Sequence, residues 1–131
     1  MTEKTVMDAL VLMKRTGNLL NDLEDLTRQL AQSIDRNDQV SIQMLIAMRE
    51  EPLAKLQAAD RALREQLEAL PDRAEAGALA ALLNGEAAEP GERTQQMLQE
   101  QVAANRRRLN QIMTVDRVLN QRLGREQSAY Q

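Results

Sequence analysis

The chain has 131 residues, 17 of them Lys or Arg and 20 Asp or Glu, giving a net charge of −3. It contains no Cys, His, Trp or Phe, and Tyr130 is its one aromatic residue. Disulfide frameworks, zinc fingers, thiol nucleophiles and histidine general bases are thereby excluded, so neither an enzyme nor a bound cofactor or metal is expected.

Apolar residues make up 43% of the chain, enough to build a core, and most are Leu, Ala and Met, all good helix formers. With almost no aromatics and few Val or Ile, a sandwich or barrel is disfavoured and an all-α protein is expected. No uncharged run approaches the roughly 20 apolar residues of a membrane span. The stretch MTEKTVMDALVLMKRTGN mixes acids into its apolar residues and lacks a small-residue cleavage site, so a cytoplasmic protein without membrane insertion is expected. Charge is uneven, −6 over residues 1–91 and +3 over 92–131, which predicts antiparallel packing of the last helix on the earlier ones. The excess is too small to suggest a nucleic-acid partner.

The first helix is predicted over about 5–34. Val6, Ala9, Met13, Thr16, Leu20, Leu23, Thr27, Leu30 and Ile34 recur at steps of three and four, the seam of a helix–helix contact. Leu12, Leu19 and Leu26 form a second row, and Gly17-Asn18 is a local weak point that favours a bend. Asp35-Arg36-Asn37-Asp38 reads as a turn in which Asn37 or Asp38 caps the next helix. That second helix is predicted over about 39–70, with Ile42, Ile46, Arg49, Leu53, Leu56, Asp60, Leu63, Leu67 and Leu70 on one stripe and Val40, Met44 and Met48 beside it. The stripe passes Pro52 in phase, so Pro52 reads as a kink in one helix.

Residues 71–91 read as a flexible segment punctuated by Pro71, Gly77, Gly85, Pro90 and Gly91. Within it Leu79, Leu82 and Leu83 suggest a short helix that ends at Asn84-Gly85. The third long helix is predicted over about 92–123, on the heptad Leu98, Val102, Asn105, Leu109, Ile112, Asp116, Leu119, Leu123, with Gly124 as its end and 124–131 as a tail. Each long helix would span roughly 45 Å at 1.5 Å per residue. The whole chain is thus expected to be a single domain, an elongated antiparallel helical bundle or coiled coil of three long helices with a short extra one before the last.

Polar residues interrupt these seams at Arg49, Asp60, Asn105 and Asp116. They either fix register or face a groove that a partner helix fills; Arg49 and Asp60 are too far apart to pair, whereas Arg49 with Asp116 is one pairing between helices. Six of the seven methionines sit on or beside the apolar stripes, as core filler or as an adaptable contact surface. Arg106-Arg107-Arg108 fans round a helix at about 100° per residue and reads as solvated surface. Carboxylate runs such as Glu50-Glu51 lack the histidines of a helical di-metal site. Tyr130 is either an incidental aromatic on a tail or a short recognition element.

Three stretches, LLNDLEDLTRQLAQSI, DRNDQVSIQMLIAMREEPLAKLQAADRALREQL and NQIMTVDRVLNQRLGREQSAY, resemble the small chaperones of bacterial flagellar type III export, of the FlgN and FliT kind. The similarity covers roughly residues 5–130, including the turn at Arg36-Asn37-Asp38, the Arg49-Glu50 pair and the Tyr-bearing tail. The resemblance implies a non-enzymatic cytoplasmic chaperone for the C-terminal amphipathic helices of hook–filament junction or cap subunits. It implies prevention of premature assembly, delivery to an export-gate component, and gate docking through Tyr130. A client helix is expected on the last helix, at Leu98, Val102, Leu109, Ile112, Leu119 and Leu123. The alternative expectation is a structural coiled-coil homo-oligomer or scaffold with no secretion client.

Overall fold

The computed structural model describes residues 1–86 and 91–129, with side chains through Gly124 in the last helix. It is all-helical among the described residues, with four helices packed together: α1 (Glu3–Asp35), α2 (Gln39–Ala69), α3 (Arg73–Leu83) and α4 (Arg93–Ala129). No described helix is long and apolar enough to cross a membrane.

Short polar side chains set the helix boundaries. Thr2 caps α1, its hydroxyl accepting from the Thr5 N–H at 3.2 Å. The turn between α1 and α2 does two jobs in three residues. Asn37 takes the left-handed conformation at φ 56° that asparagine tolerates, and the N–H groups of Asn37 and Asp38 return to the carbonyls of Ile34 and Ser33. Asp38 then caps α2, accepting from the Ser41 N–H at 3.1 Å and the Ser41 hydroxyl at 2.6 Å. Of the two expected caps, Asp38 is the one used.

α2 continues through Pro52 as one helix. The missing N–H of proline leaves the Met48 carbonyl without its usual intrahelical partner. Residues 73–83, expected within a flexible segment, form a helix whose Leu79 and Leu82 are buried among Val6, Leu10, Leu98 and Val102. That helix closes as expected at Asn84-Gly85, where Gly85 adopts φ 81° and the N–H groups of Gly85 and Glu86 return to Leu82 and Ala81. Residues 87–90, part of the flexible segment expected over 71–91, lie outside the described residues. The last helix does not end at Gly124 but runs on to Ala129. A glycine in a helix costs about 1 kcal/mol against alanine, a weakness but not a terminator.

The packing places α1 at the centre, in broad contact with both α2 and α4, while α3 touches α2 and α4 more narrowly. α4 runs parallel to α1, since Asn105 reaches Met13 and Arg122 reaches Asp35 further along both helices. The antiparallel packing of α4 on α1 expected from charge is corrected here. α2 reverses the chain and α4 reverses it again, so connectivity fixes the direction.

Three apolar layers follow one another along α1. Val6, Ala9 and Leu10 meet Leu79, Leu82, Leu98 and Val102; Leu20 and Leu23 meet Ile112 and Leu56; Leu30 and Ile34 meet Ile42, Leu45 and Leu119. Between the first two layers sits a polar lock. The Asn105 amide donates to the Met13 carbonyl at 2.9 Å and its oxygen accepts from Gln101 at 2.9 Å. Gly17 makes room for it: a Cβ there would lie 2.7 Å from Gln101 Nε2 and 2.9 Å from Asn105 Oδ1. The glycine expected to bend α1 instead admits a neighbouring helix, and α1 is unbroken across it.

Two predictions follow from these contacts. Gly17→Ala gains about 1 kcal/mol of helix propensity but breaks a buried amide's hydrogen bonds, a loss of about 1–3 kcal/mol. Thermal unfolding should therefore show a lower Tm; a higher one would mean the Asn105 lock contributes nothing. Hydrogen bonds from the Ser41 hydroxyl and then the Ser41 N–H hold the Asp38 carboxyl below its ordinary value of 3.8. Its stabilising contribution is full above that value and is lost as pH falls through the lower folded-state value. Urea unfolding of Asp38→Asn, which caps without titrating, should show a shallower acid decline than the unsubstituted chain below about pH 4.

Candidate functional site

The six positions expected to hold a client helix divide sharply. Leu98, Val102, Ile112 and Leu119 are buried in the three apolar layers, and half-buried Leu123 packs against the third. These five are core in the folded chain because α1 and α3 already occupy the stripe that the heptad defines. Leu109 alone presents its side chain to solvent, 41% exposed. Tyr130, expected at the export gate, lies outside the described residues.

The buried line of α2 also differs from the expected one. It runs Ile42, Leu45, Pro52, Ala59, with Leu56 half-buried, and leaves Ile46 and Leu53 facing solvent. Pro52 and Ala59 are too small to stand out as core residues, yet they lie where α2 comes against α1.

Ile46 and Leu53 flank Arg49 at steps of three and four, and so share its side of α2. Arg49 Nη1 meets Asp116 Oδ1 at 2.9 Å, with the two side chains 12% and 32% exposed. This pairing joins α2 to α4 across a seam where the two backbones make no extensive approach among the described residues. On α4, Leu109 and Met113 precede Asp116 by seven and three residues and so lie on the same side. Leu109 and Met113 are 41% and 53% exposed, and Met113, Asp116 and Asn120 line a depression there. The seam is thus an apolar strip of Ile46, Leu53, Leu109 and Met113 around one half-buried ion pair.

The ion pair is incompletely satisfied. Arg49 Nε is buried without an acceptor, and Asp116 Oδ1 contacts the guanidinium without hydrogen-bond alignment. Such a pair specifies how α2 and α4 face each other more than it stabilises them. Asp60, the other expected seam acid on α2, is exposed and held by Arg64 one turn on. Asn105, the remaining seam polar residue, is spent in the lock at Gly17.

Of the three arginines at 106–108, Arg108 reaches Glu24 on α1 at 3.8 Å, while Arg106 and Arg107 are exposed. No group of three or more acids that could hold a metal occurs among the described residues. On the opposite side of α2, two adjoining depressions lie between α1 and α2 and share Leu19 and Lys55. Leu19, Leu26 and Met48, from the second rows visible in the sequence, line this groove.

Comparison with protein-family models, with curated proteins and with solved structures finds no match to this chain.

The ion pair gives the testable consequence of this site. Arg49→Met or Asp116→Leu alone should cost about 1–2 kcal/mol, reduced from the fully buried case because Asp116 is partly solvated. The double substitution should recover most of that loss, since it removes both charges from an apolar seam. Urea unfolding of the four proteins checks this, and additive losses would show that the charges do not act as a pair.

Proposed function

We propose that this chain is a helix-binding export chaperone of the FlgN and FliT kind, one that takes up a client's amphipathic C-terminal helix along the α2/α4 seam. The observation that carries the reading is the open seam: apolar side chains of two helices stand exposed on either side of a polar pair that spans them. An amphipathic helix with apolar residues at steps of three and four is the partner such a strip suits. Two of the strip's four apolar residues, Leu109 and Met113, come from the last helix, so part of the expected client site is retained at Leu109. Affinity would come from apolar burial, at about 25 cal/mol per Å² less the cost of ordering the client.

In this reading the clients are hook–filament junction or cap subunits in the cytoplasm, and the chaperone keeps their helices from assembling early. Tyr130 docks to the export gate. The elongated coiled-coil character expected of the three long helices belongs to the same proposal, because it supplies a seam several turns long.

The test is co-purification of the full chain with C-terminal helical segments of flagellar junction and cap proteins, with light scattering for stoichiometry. A discrete complex with one segment is expected. Leu109→Asp with Met113→Asp should abolish it without loss of helicity, because both side chains are exposed. Ile112→Asp would report on folding instead. Tyr130→Ala should spare client binding and impair delivery. Unchanged binding by the Leu109, Met113 variant would overturn the seam as the client site.

A further inference from the structure

α1 carries a second pattern beside its buried face and away from the α2/α4 seam, of which Leu26 also packs against the third apolar layer. Val11, Arg15, Leu19, Asp22 and Leu26 follow one another at steps of four, four, three and four, so they form one stripe along the helix. The stripe borders the groove between α1 and α2, with Arg15 at one end, Leu19 shared by both depressions, and Asp22 and Leu26 at the other. Arg15 and Asp22 are exposed, Leu19 and Leu26 are half-buried, and Val11 is 53% exposed.

Among the described residues, the two charges on this stripe, Arg15 and Asp22, have no ion-pair partner and no side-chain hydrogen bond. The Lys55 ammonium is held by Glu51 at 2.9 Å, and that hydrogen bond, then the Glu51 charge, raise its pKa, with the charge of Asp22 adding least. The hydrogen bond between Lys55 and Glu51, and then the Lys55 charge, also keep the Glu51 carboxyl below its ordinary value. That pair is satisfied; Arg15 and Asp22 are not.

The stripe is self-complementary. Reading it in one direction gives apolar, cation, Leu, anion, apolar, and reversal exchanges only the two charges. An antiparallel copy of α1 related by a two-fold axis beside Leu19 therefore sets Arg15 against Asp22 of the second copy, twice. It also sets Val11 against Leu26 of the second copy, twice, with the two Leu19 residues meeting near the axis. This reciprocal matching is what an isologous interface requires of a single surface patch. We propose that the α1 face beside the α1/α2 groove is a dimer interface, and that its occupant is a second copy of this chain. A helix of unrelated sequence would have to carry the same charges in the opposite order, whereas the chain itself supplies them.

Exposed Met48 lines the same groove, and exposed Met44 lies one turn before it on α2, so both extend the apolar area beside the interface with adaptable side chains. The Arg49 side of α2 points away from this groove, so the dimer leaves the client seam open. The two proposals stand or fall separately.

Charge reversal tests the dimer on the full chain by sedimentation or light scattering at micromolar concentration, with helicity as the folding control. Both residues are exposed, so the fold should persist. Because each substitution acts at two symmetric contacts, Arg15→Asp alone and Asp22→Arg alone should each weaken dimerisation about tenfold or more. The double variant, which carries the charges in exchanged order, should dimerise like the unsubstituted chain. The decisive sample is an equimolar mixture of the two single variants. One then brings two acids and the other two bases, so a one-to-one heterodimer should form where neither variant dimerises well alone. A monomeric unsubstituted chain would overturn the proposal. So would a dimer indifferent to all the substitutions, which would place the interface on another face, or a mixture that yields no heterodimer.

Discussion

Because α2 and α4 direct their apolar stripes at α1 and scarcely approach one another, every layer of the core is built on one helix. Val6 to Ile34 supply residues to all three apolar layers, and α2, α3 and α4 each complete them from a different side. The absence of Trp and Phe makes this arrangement necessary. Leu, Ile and Ala side chains fill only a thin layer, so each neighbour must come close to α1 to exclude water. Gly17, Ala9, Pro52 and Ala59 are the places where small side chains allow that approach.

One consequence is that two sides of the molecule are left with apolar residues uncovered. A helix flanked by two others on part of its circumference closes the angle between them only if the outer pair also packs together. Among the described residues one ion pair, Arg49 with Asp116, spans that gap. The seam beside it and the groove on the far side of α2 are both products of the same hub geometry. They differ in chemistry: the seam pairs its charges internally, whereas the groove presents one cation and one anion with no ion-pair partner among the described residues.

The helices themselves were legible because three- and four-residue steps persist over long stretches, and because Asn37, Asp38 and Gly85 carry local chemistry that ends or starts a helix regardless of its surroundings. Which neighbour each stripe meets was not legible. The heptad from Leu98 to Leu123 reads equally well as core or as a client surface, since periodicity records an apolar face and not what covers it. In α2 the contrast between large and small side chains pointed to Ile46 and Leu53, while the true line passes through Pro52 and Ala59. Arg49 and Asp116 were visible as interruptions and even as partners. Only the antiparallel course of α2 against α4 shows that they meet. The direction of α4 was set by chain reversal, which a net-charge difference between halves does not encode.

The turn at Arg36 to Asp38 has a bearing on the order in which the molecule assembles. With α1 ended and α2 begun inside three residues, the hairpin closes across almost no intervening chain, and its contacts are local in sequence. The contacts of α4 with α1 are of a different kind: Asn105 with Met13 spans 92 residues, and Arg122 with Asp35 spans 87. Loop-closure entropy makes the hairpin the fast step and the arrival of α4 the slow one. On a ribosome, the hairpin is complete while α4 has yet to emerge, and the face of α1 that will receive Leu98, Ile112 and Leu119 is then bare. Assembly of this chain therefore passes through a hairpin with an unfilled apolar flank, and its tolerance of mutations in α4 will be set by how long that flank stays uncovered.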